Sequence, residues 1–186
     1  RGHSPPGVDG GPVPLAVVGP MARAPADLRL GLDVMAGPEP DEAKGYVLNL
    51  PPPRHADLAD YRILVLTSHP LVTTDSEVAG ALETLAGRLK ALGASVARET
   101  NLLPDLEAQH GVYMPILNTA ISRGQPGATP IDAHTYMNML DAQVAFRRLW
   151  ATIFESFDVV IMPTFGTTAF PHVDEQNLPA RVLTID

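Results

Sequence analysis

A hydrolytic site needs a nucleophile with a base in reach. Six serines are candidates: Ser4, Ser68, Ser76, Ser95, Ser122 and Ser156. None stands in Gly-x-Ser-x-Gly, so the strained strand-to-helix elbow that lifts a nucleophile above a hydrolase sheet is not encoded. Ser68 and His69 follow an apolar run and form the one suggestive pair. Neighbours on extended backbone point to opposite sides, however, and cannot share a proton. There is no cysteine, which excludes thiolate catalysis, disulfides and zinc-thiolate sites. Among His3, His55, His69, His110, His134 and His172 no two stand four apart, and no His-Glu-x-x-His occurs. No metal site is expected.

Other residue patterns have plainer structural readings. Asp132 and His134 are two ligand types near a predicted helix start, but a capping Asp132 beside a solvated imidazole accounts for them. Asp57 and Asp60 read as a solvated loop before a strand. Gly7, Gly10 and Gly11 precede no helix, so they cannot cradle a phosphate. Lys90 adjoins the apolar stripe of a helix and is expected to reach into water. Trp150 and the neighbouring phenylalanines recur at helical spacing and read as core.

The elements that would position a site follow from apolar periodicity. Residues 1–20 hold four glycines and four prolines in their first fourteen positions, which neither helix nor strand tolerates; residues 15–18 could add a small strand. A helix is predicted over 24–36, with Pro25 in its first turn, an apolar face of Leu28, Leu32 and Met35, and a Gly37-Pro38 stop. Residues 38–60 read as an exposed connector. Residues 61–66 form an apolar, β-branched strand. A helix then starts at a Thr74/Glu77 capping box, presents Val78, Leu82, Leu85, Leu89 and Leu92, and ends at Gly93. With a second strand at 95–98 this makes a βαβ unit over 61–98, which demands a parallel pair and a right-handed crossover.

Beyond it, residues 101–131 start helical and become loop after Ser122-Arg123-Gly124. A long helix is predicted over 132–157, its apolar side carrying Tyr136, Leu140, Val144, Trp150, Phe154 and Phe157. Residues 158–162 are a buried strand closed by Pro163, and the loop after it has the composition of a site wall. The fold class is α/β, a mostly parallel sheet with flanking helices. The chain is expected to be a single partial domain over 1–186: loop, helix and connector at 1–60, the βαβ unit at 61–98, and helices, strand and pocket loop at 99–186.

Bulk properties narrow the partners. The 186 residues carry 21 acidic and 13 basic side chains, a net charge of −8, with Lys44 and Lys90 as the only lysines. Binding to nucleic acid needs clustered cations, so none is expected. No apolar run approaches the ~20 residues that cross a bilayer, and no signal segment opens the chain. No membrane association is expected, and a cytoplasmic location is. Nineteen prolines are about twice the usual share, and they fall mostly between elements.

Four stretches carry a resemblance. Gly19-Pro20-Met21-Ala22-Arg23 leading into Leu32-Asp33-Val34-Met35-Ala36-Gly37-Pro38 is similar to a block of the amidase-signature amide hydrolases. Phe157-Asp158-Val159-Val160-Ile161-Met162-Pro163-Thr164, followed by Ala169-Phe170-Pro171-His172, resembles that family's strand ending in Pro-Thr and its pocket loop. Residues 61–98 resemble its strand-helix-strand insertion, and Arg1-Gly2-His3-Ser4-Pro5-Pro6-Gly7 resembles the loop after its nucleophile region.

The resemblance implies a parent enzyme that hydrolyses a carboxamide C–N bond through an acyl-serine intermediate, with a Ser–cis-Ser–Lys triad and no cofactor. The triad segment, a Gly/Ser-rich run, has no counterpart here, and neither Lys44 nor Lys90 lies in a matching context. No catalytic residue transfers. The chain is expected to be a fragment truncated on both sides and inactive alone, its partner a small-molecule amide in the full-length protein. What the resemblance does carry over is a substrate wall at Thr164, Phe165, Gly166 and Thr167. Arg23 and Asp27 are expected to pair or cap rather than touch substrate, while Gln143, Arg147 and Arg148 lie where some members place a substrate-binding arginine. A sheet lacking neighbours exposes its edges, which predicts homo-oligomers. The alternative function is a non-catalytic α/β binding or interaction domain of amidase ancestry.

Overall fold

The computed structural model describes residues 15, 19–38, 42–175, 180–183 and 185. Leu15 stands in a turn at φ +66°, while residues 16–18 of the candidate strand and the opening loop at 1–7 lie outside the described residues. Two units are distinguished: Arg1–Pro52 with Tyr113–Met137, and Pro53–Val112 with Asn138–Asp186.

The second unit holds the sheet. Strands β1 (Arg62–Val65), β2 (Ser95–Ala97) and β3 (Val159–Ile161) are parallel, in the order β2-β1-β3. Ile63 pairs with Val96 on one side and with Val159 on the other. β1 is therefore central, and Ile63, Leu64 and Val65 are buried where the sequence predicts a buried strand. β3 is an edge strand and only half-buried, because among the described residues it has a neighbour on one side alone.

Helix α2 (Ser76–Ala91) returns the chain from β1 to β2. Its cap is Asp75, one residue beyond the expected Thr74: the Asp75 carboxylate accepts the Glu77 N–H at 2.9 Å. Buried Ala86 meets Ile63, Val65 and Ala94, with Leu89 and Val96 packed around them. Leu85 and Leu92, expected on that face, are exposed. The small Ala86 permits the close helix–sheet approach that a leucine would block. Gly93 ends the helix at φ +98°, and a Cβ there would lie 2.8 Å from the Ala59 Cβ, so glycine is required twice over.

Leu64 alternates to the opposite face of β1 and is fully enclosed. Right-handed crossovers to either side of β1 assign that face to the second connection. It contains α3 (Leu106–Ser122) and α4 (Ala133–Ser156), and Ile153 of α4 is likewise fully enclosed. The predicted apolar side of α4 is offset from the true one: Val144 and Phe154 are exposed, and Ile153 is the buried residue. Asp132 caps α4 as expected, accepting the Thr135 N–H at 3.0 Å, and His134 is exposed.

The last turn of α4 is held by two arginines, Arg62 of β1 and Arg54 of the connector before it. Arg54 donates to the Phe154 carbonyl at 2.7 Å and Arg62 to the Glu155 carbonyl at 3.1 Å, satisfying acceptors that a helix end leaves free. Both also reach Asp158, whose side chain is 1% exposed. Arg62 grips it through Nε at 3.1 Å, Nη2 at 2.9 Å and its backbone N–H at 2.9 Å. Arg62 first, then Arg54, holds the Asp158 carboxyl far below the usual carboxylate range. His55 Nε2 lies 3.3 Å from the same carboxylate but off the hydrogen-bonding direction.

In the first unit, helix α1 (Pro25–Met35) starts with proline in its first turn as predicted. It stops because Ala36 turns extended at φ −76°, ψ 125°, not through a left-handed glycine. Gly37 precedes a proline, which disfavours helical backbone. No residue of α1 is buried; Leu28, Leu32 and Val34 are exposed. The ion pair on this helix joins Arg29 to Asp33 at 3.8 Å, a solvated pair of little energetic weight. Residues 42–60 are the expected connector, largely exposed, with short turns at Glu42–Lys44 and Leu58–Asp60.

Candidate functional site

Parallel strands bind ligands beyond their carboxyl ends, in the crevice where successive connections leave in opposite directions. In the order β2-β1-β3 that crevice lies between β1 and β3. A cavity of about 260 Å³ opens there. Leu66, Ser68, His69, Val72 and Thr74 line it from the chain leaving β1. Met162, Pro163, Phe165 and Gly166 line it from the chain leaving β3, and Leu106, Gln109 and Trp150 close it from the helices.

The two loops are tied together at their base. Asp75 N–H donates to the Gly166 carbonyl at 2.8 Å, so the cap residue of α2 also anchors the post-β3 loop. Gly166 stands so close to the other loop that a Cβ would lie 3.1 Å from Val72 Cγ1 and 3.2 Å from the Thr73 carbonyl oxygen. Trp150 is held by its Nε1–H donating to Gln109 Oε1 at 2.8 Å. That bond satisfies the one polar atom of the indole ring. Phe165 is more than half exposed and stacks at a tilt on Phe170, with ring centroids 6.1 Å apart.

His69 begins a tight turn: Val72 N–H donates to the His69 carbonyl at 3.2 Å, with Pro70 at the position where a fixed φ suits the turn. Within it His69 Nδ1 accepts the Leu71 N–H at 3.2 Å. The neighbouring His110 ring stands edge-on to His69, with centroids 6.2 Å apart.

Of the four expected wall residues, Phe165 and Gly166 line the cavity. Thr164 is exposed, and Thr167 donates its hydroxyl to the Thr168 carbonyl at 2.8 Å. Ser68 and His69 both line the cavity, but as parts of its rim rather than as a bonded couple. Lys90 lies in the last turn of α2, at the amino end of the strands, about 21 Å along the axis from Ser76 at the other end. Neither Lys90 nor Lys44 makes a hydrogen bond to a serine among the described residues. Arg147 and Arg148 are exposed and Gln143 is half-buried. Among the described residues no three His, Cys, Asp or Glu side chains converge where a metal ion could sit, and no helix is long and apolar enough to cross a membrane.

Two contributors were not visible in the sequence. Gln109 belongs to α3 and reaches Trp150 across 41 positions, and no spacing rule relates them. Val72 and Gly166 approach closely across loops 94 positions apart in sequence. A glycine after a strand was the only available signal, and it named the loop without naming its partner.

The comparison with known families agrees with this architecture. A family model described as Amidase matches residues 3–124, more than half of the chain. The match takes in α1, the βαβ unit and α3; the block at 154–172 lies beyond it. No curated protein matches. The sequence blocks at 19–38 and 61–98, the parallel βαβ unit and the matched span converge on one identification: this chain belongs to the amidase family.

Proposed function

We propose that the chain serves a carboxamide hydrolase by forming one wall of its acyl pocket, and that it contributes no nucleophile. The observation that carries this reading is the switch-point cavity, lined by apolar groups from both loops and without a lysine at its border. In an acyl-serine mechanism the nucleophile needs a proton acceptor within hydrogen-bonding reach. Among the described residues Ser68 is the one serine bordering the cavity. Its neighbour His69 engages the backbone through Nδ1, and Lys90 is at the far end of α2. The parent would therefore release ammonia or an amine from its substrate through groups supplied outside these 186 residues. Phe165 and Gly166 would shape the acyl side of the pocket.

Serine-directed covalent labelling tests this. A fluorophosphonate probe should leave the intact mass of the purified chain unchanged, whereas a stoichiometric adduct on any serine overturns the proposal. A second reading, a non-catalytic binding domain of amidase ancestry, is favoured by the fact that the described residues lining the cavity all belong to one unit, 53–112 with 138–186. The coding sequence separates the two: an in-frame Gly/Ser-rich segment ahead of Arg1 supports the hydrolase, and a start codon near Arg1 supports the binding domain.

A further inference from the structure

The switch-point cavity has a small volume and a mostly apolar lining, with the polar side chains Ser68, His69, Thr74 and Gln109 at its border. An enclosed apolar cavity of ~150 Å³ accommodates benzene, so about 260 Å³ holds one ring with a small polar substituent. Trp150, Met162, Pro163 and Val72 offer flat or soft apolar surface to such a ring.

Among those polar side chains Gln109 Oε1 is taken by Trp150, and His69 is the one imidazole, held by its own turn. Its Nδ1 accepts the Leu71 N–H at 3.2 Å, so in the neutral ring the proton resides on Nε2. The turn closed by Val72 N–H on the His69 carbonyl fixes the backbone from which this ring projects. No described residue takes the Nε2–H as an acceptor. A half-buried donor beside an apolar cavity, its other nitrogen already satisfied, suits a ligand's carbonyl oxygen.

We propose that the cavity takes the aromatic part of an aryl carboxamide and that His69 Nε2–H donates to its carbonyl oxygen, making His69 a positioning and specificity residue. This rests on the pocket reading above and adds to it both the ligand class and the residue that orients it. His69 is not asked to transfer a proton. A hydrogen bond to a ligand carbonyl discriminates between an amide and a hydrocarbon of similar shape, because water competes for the amide whenever the donor is missing.

Trp150 is the sole tryptophan and lines the cavity, so its fluorescence reports occupancy directly. Benzamide and toluene are titrated into the wild-type chain, His69→Ala and His69→Gln. Benzamide should perturb Trp150 emission saturably in the wild type. His69→Ala should weaken benzamide binding about three- to tenfold, the worth of one neutral hydrogen bond, and leave toluene binding unchanged. His69→Gln, which keeps an N–H donor, should recover part of the loss. Equal weakening of benzamide and toluene would mean that His69 only supports the loop, and would overturn the inference while sparing the pocket. Benzamide binding indifferent to both substitutions would overturn it as well. If neither probe perturbs Trp150 in the wild type, the pocket reading fails and takes the inference with it.

Discussion

Gly166→Ala is the most informative single change, because it acts on a close contact between the two loops that line the cavity. The added methyl would stand 3.1 Å from Val72 Cγ1 and 3.2 Å from the Thr73 carbonyl oxygen, against an ordinary contact of 3.4–4 Å. Val72 can yield by a side-chain adjustment, but the Thr73 oxygen is backbone and cannot. The post-β3 loop must therefore withdraw by a few tenths of an ångström. That stretches the 2.8 Å bond from Asp75 N–H to the Gly166 carbonyl. Over-packing of this kind costs about 1–3 kcal/mol. With a urea dependence of roughly 2 kcal/mol per molar, the unfolding midpoint should fall by about 0.5–1.5 M. Trp150 fluorescence follows both the unfolding and the cavity, and its folded-state emission should also shift in the variant. A midpoint and emission indistinguishable from the wild type would refute the claim that the two loops are pinned at this glycine.

Three further outcomes follow from the packing and the charges. Leu64→Ala empties a fully enclosed site on the central strand and should cost about 2–5 kcal/mol in denaturant unfolding, with no loss expected if the face above Leu64 is actually open. Trp150→Phe removes the donor to Gln109 while keeping an aromatic wall, and should lower stability by about 1 kcal/mol, read as a shift in the thermal midpoint by circular dichroism. Asp158 has a folded-state pKa depressed below its ordinary 3.8 by hydrogen bonds from Arg62 and then Arg54. Its contribution to stability is thus complete above about pH 4 and drains away as the pH falls below that value toward the depressed pKa. Asp158→Asn should be less stable at neutral pH and flatten the acid limb of the stability–pH curve; an acid limb parallel to the wild type would contradict the assignment.

The sequence made the scaffold legible wherever a local pattern dictated it. The apolar run of β1, the periodic face of α2 and the Gly93 stop each arise within one element, and together they imply a parallel βαβ unit. Helix faces were less legible where composition misleads: leucines at 85 and 92 satisfied the periodicity, yet the alanine at 86 is what the sheet admits. The cap of α2 slipped by one residue because Thr74 and Asp75 are both good caps, and only the link to Gly166 selects Asp75. The site was half visible. Phe165 and Gly166 could be located from the loop that follows an apolar strand, and His69 from its place after β1, but Val72 and Gln109 enter through long-range pairings that no spacing encodes. The Arg54–Arg62–Asp158 cluster was invisible for the same reason: its members are 96 and 104 positions apart in sequence.

The central claim is that these 186 residues build a pocket wall and leave the chemistry to other polypeptide. Ammonia release from benzamide, followed with the purified chain at neutral pH, measures it directly. A rate equal to that of buffer is the predicted result. A rate above buffer that disappears in Ser68→Ala would place a working nucleophile on this wall and contradict the account.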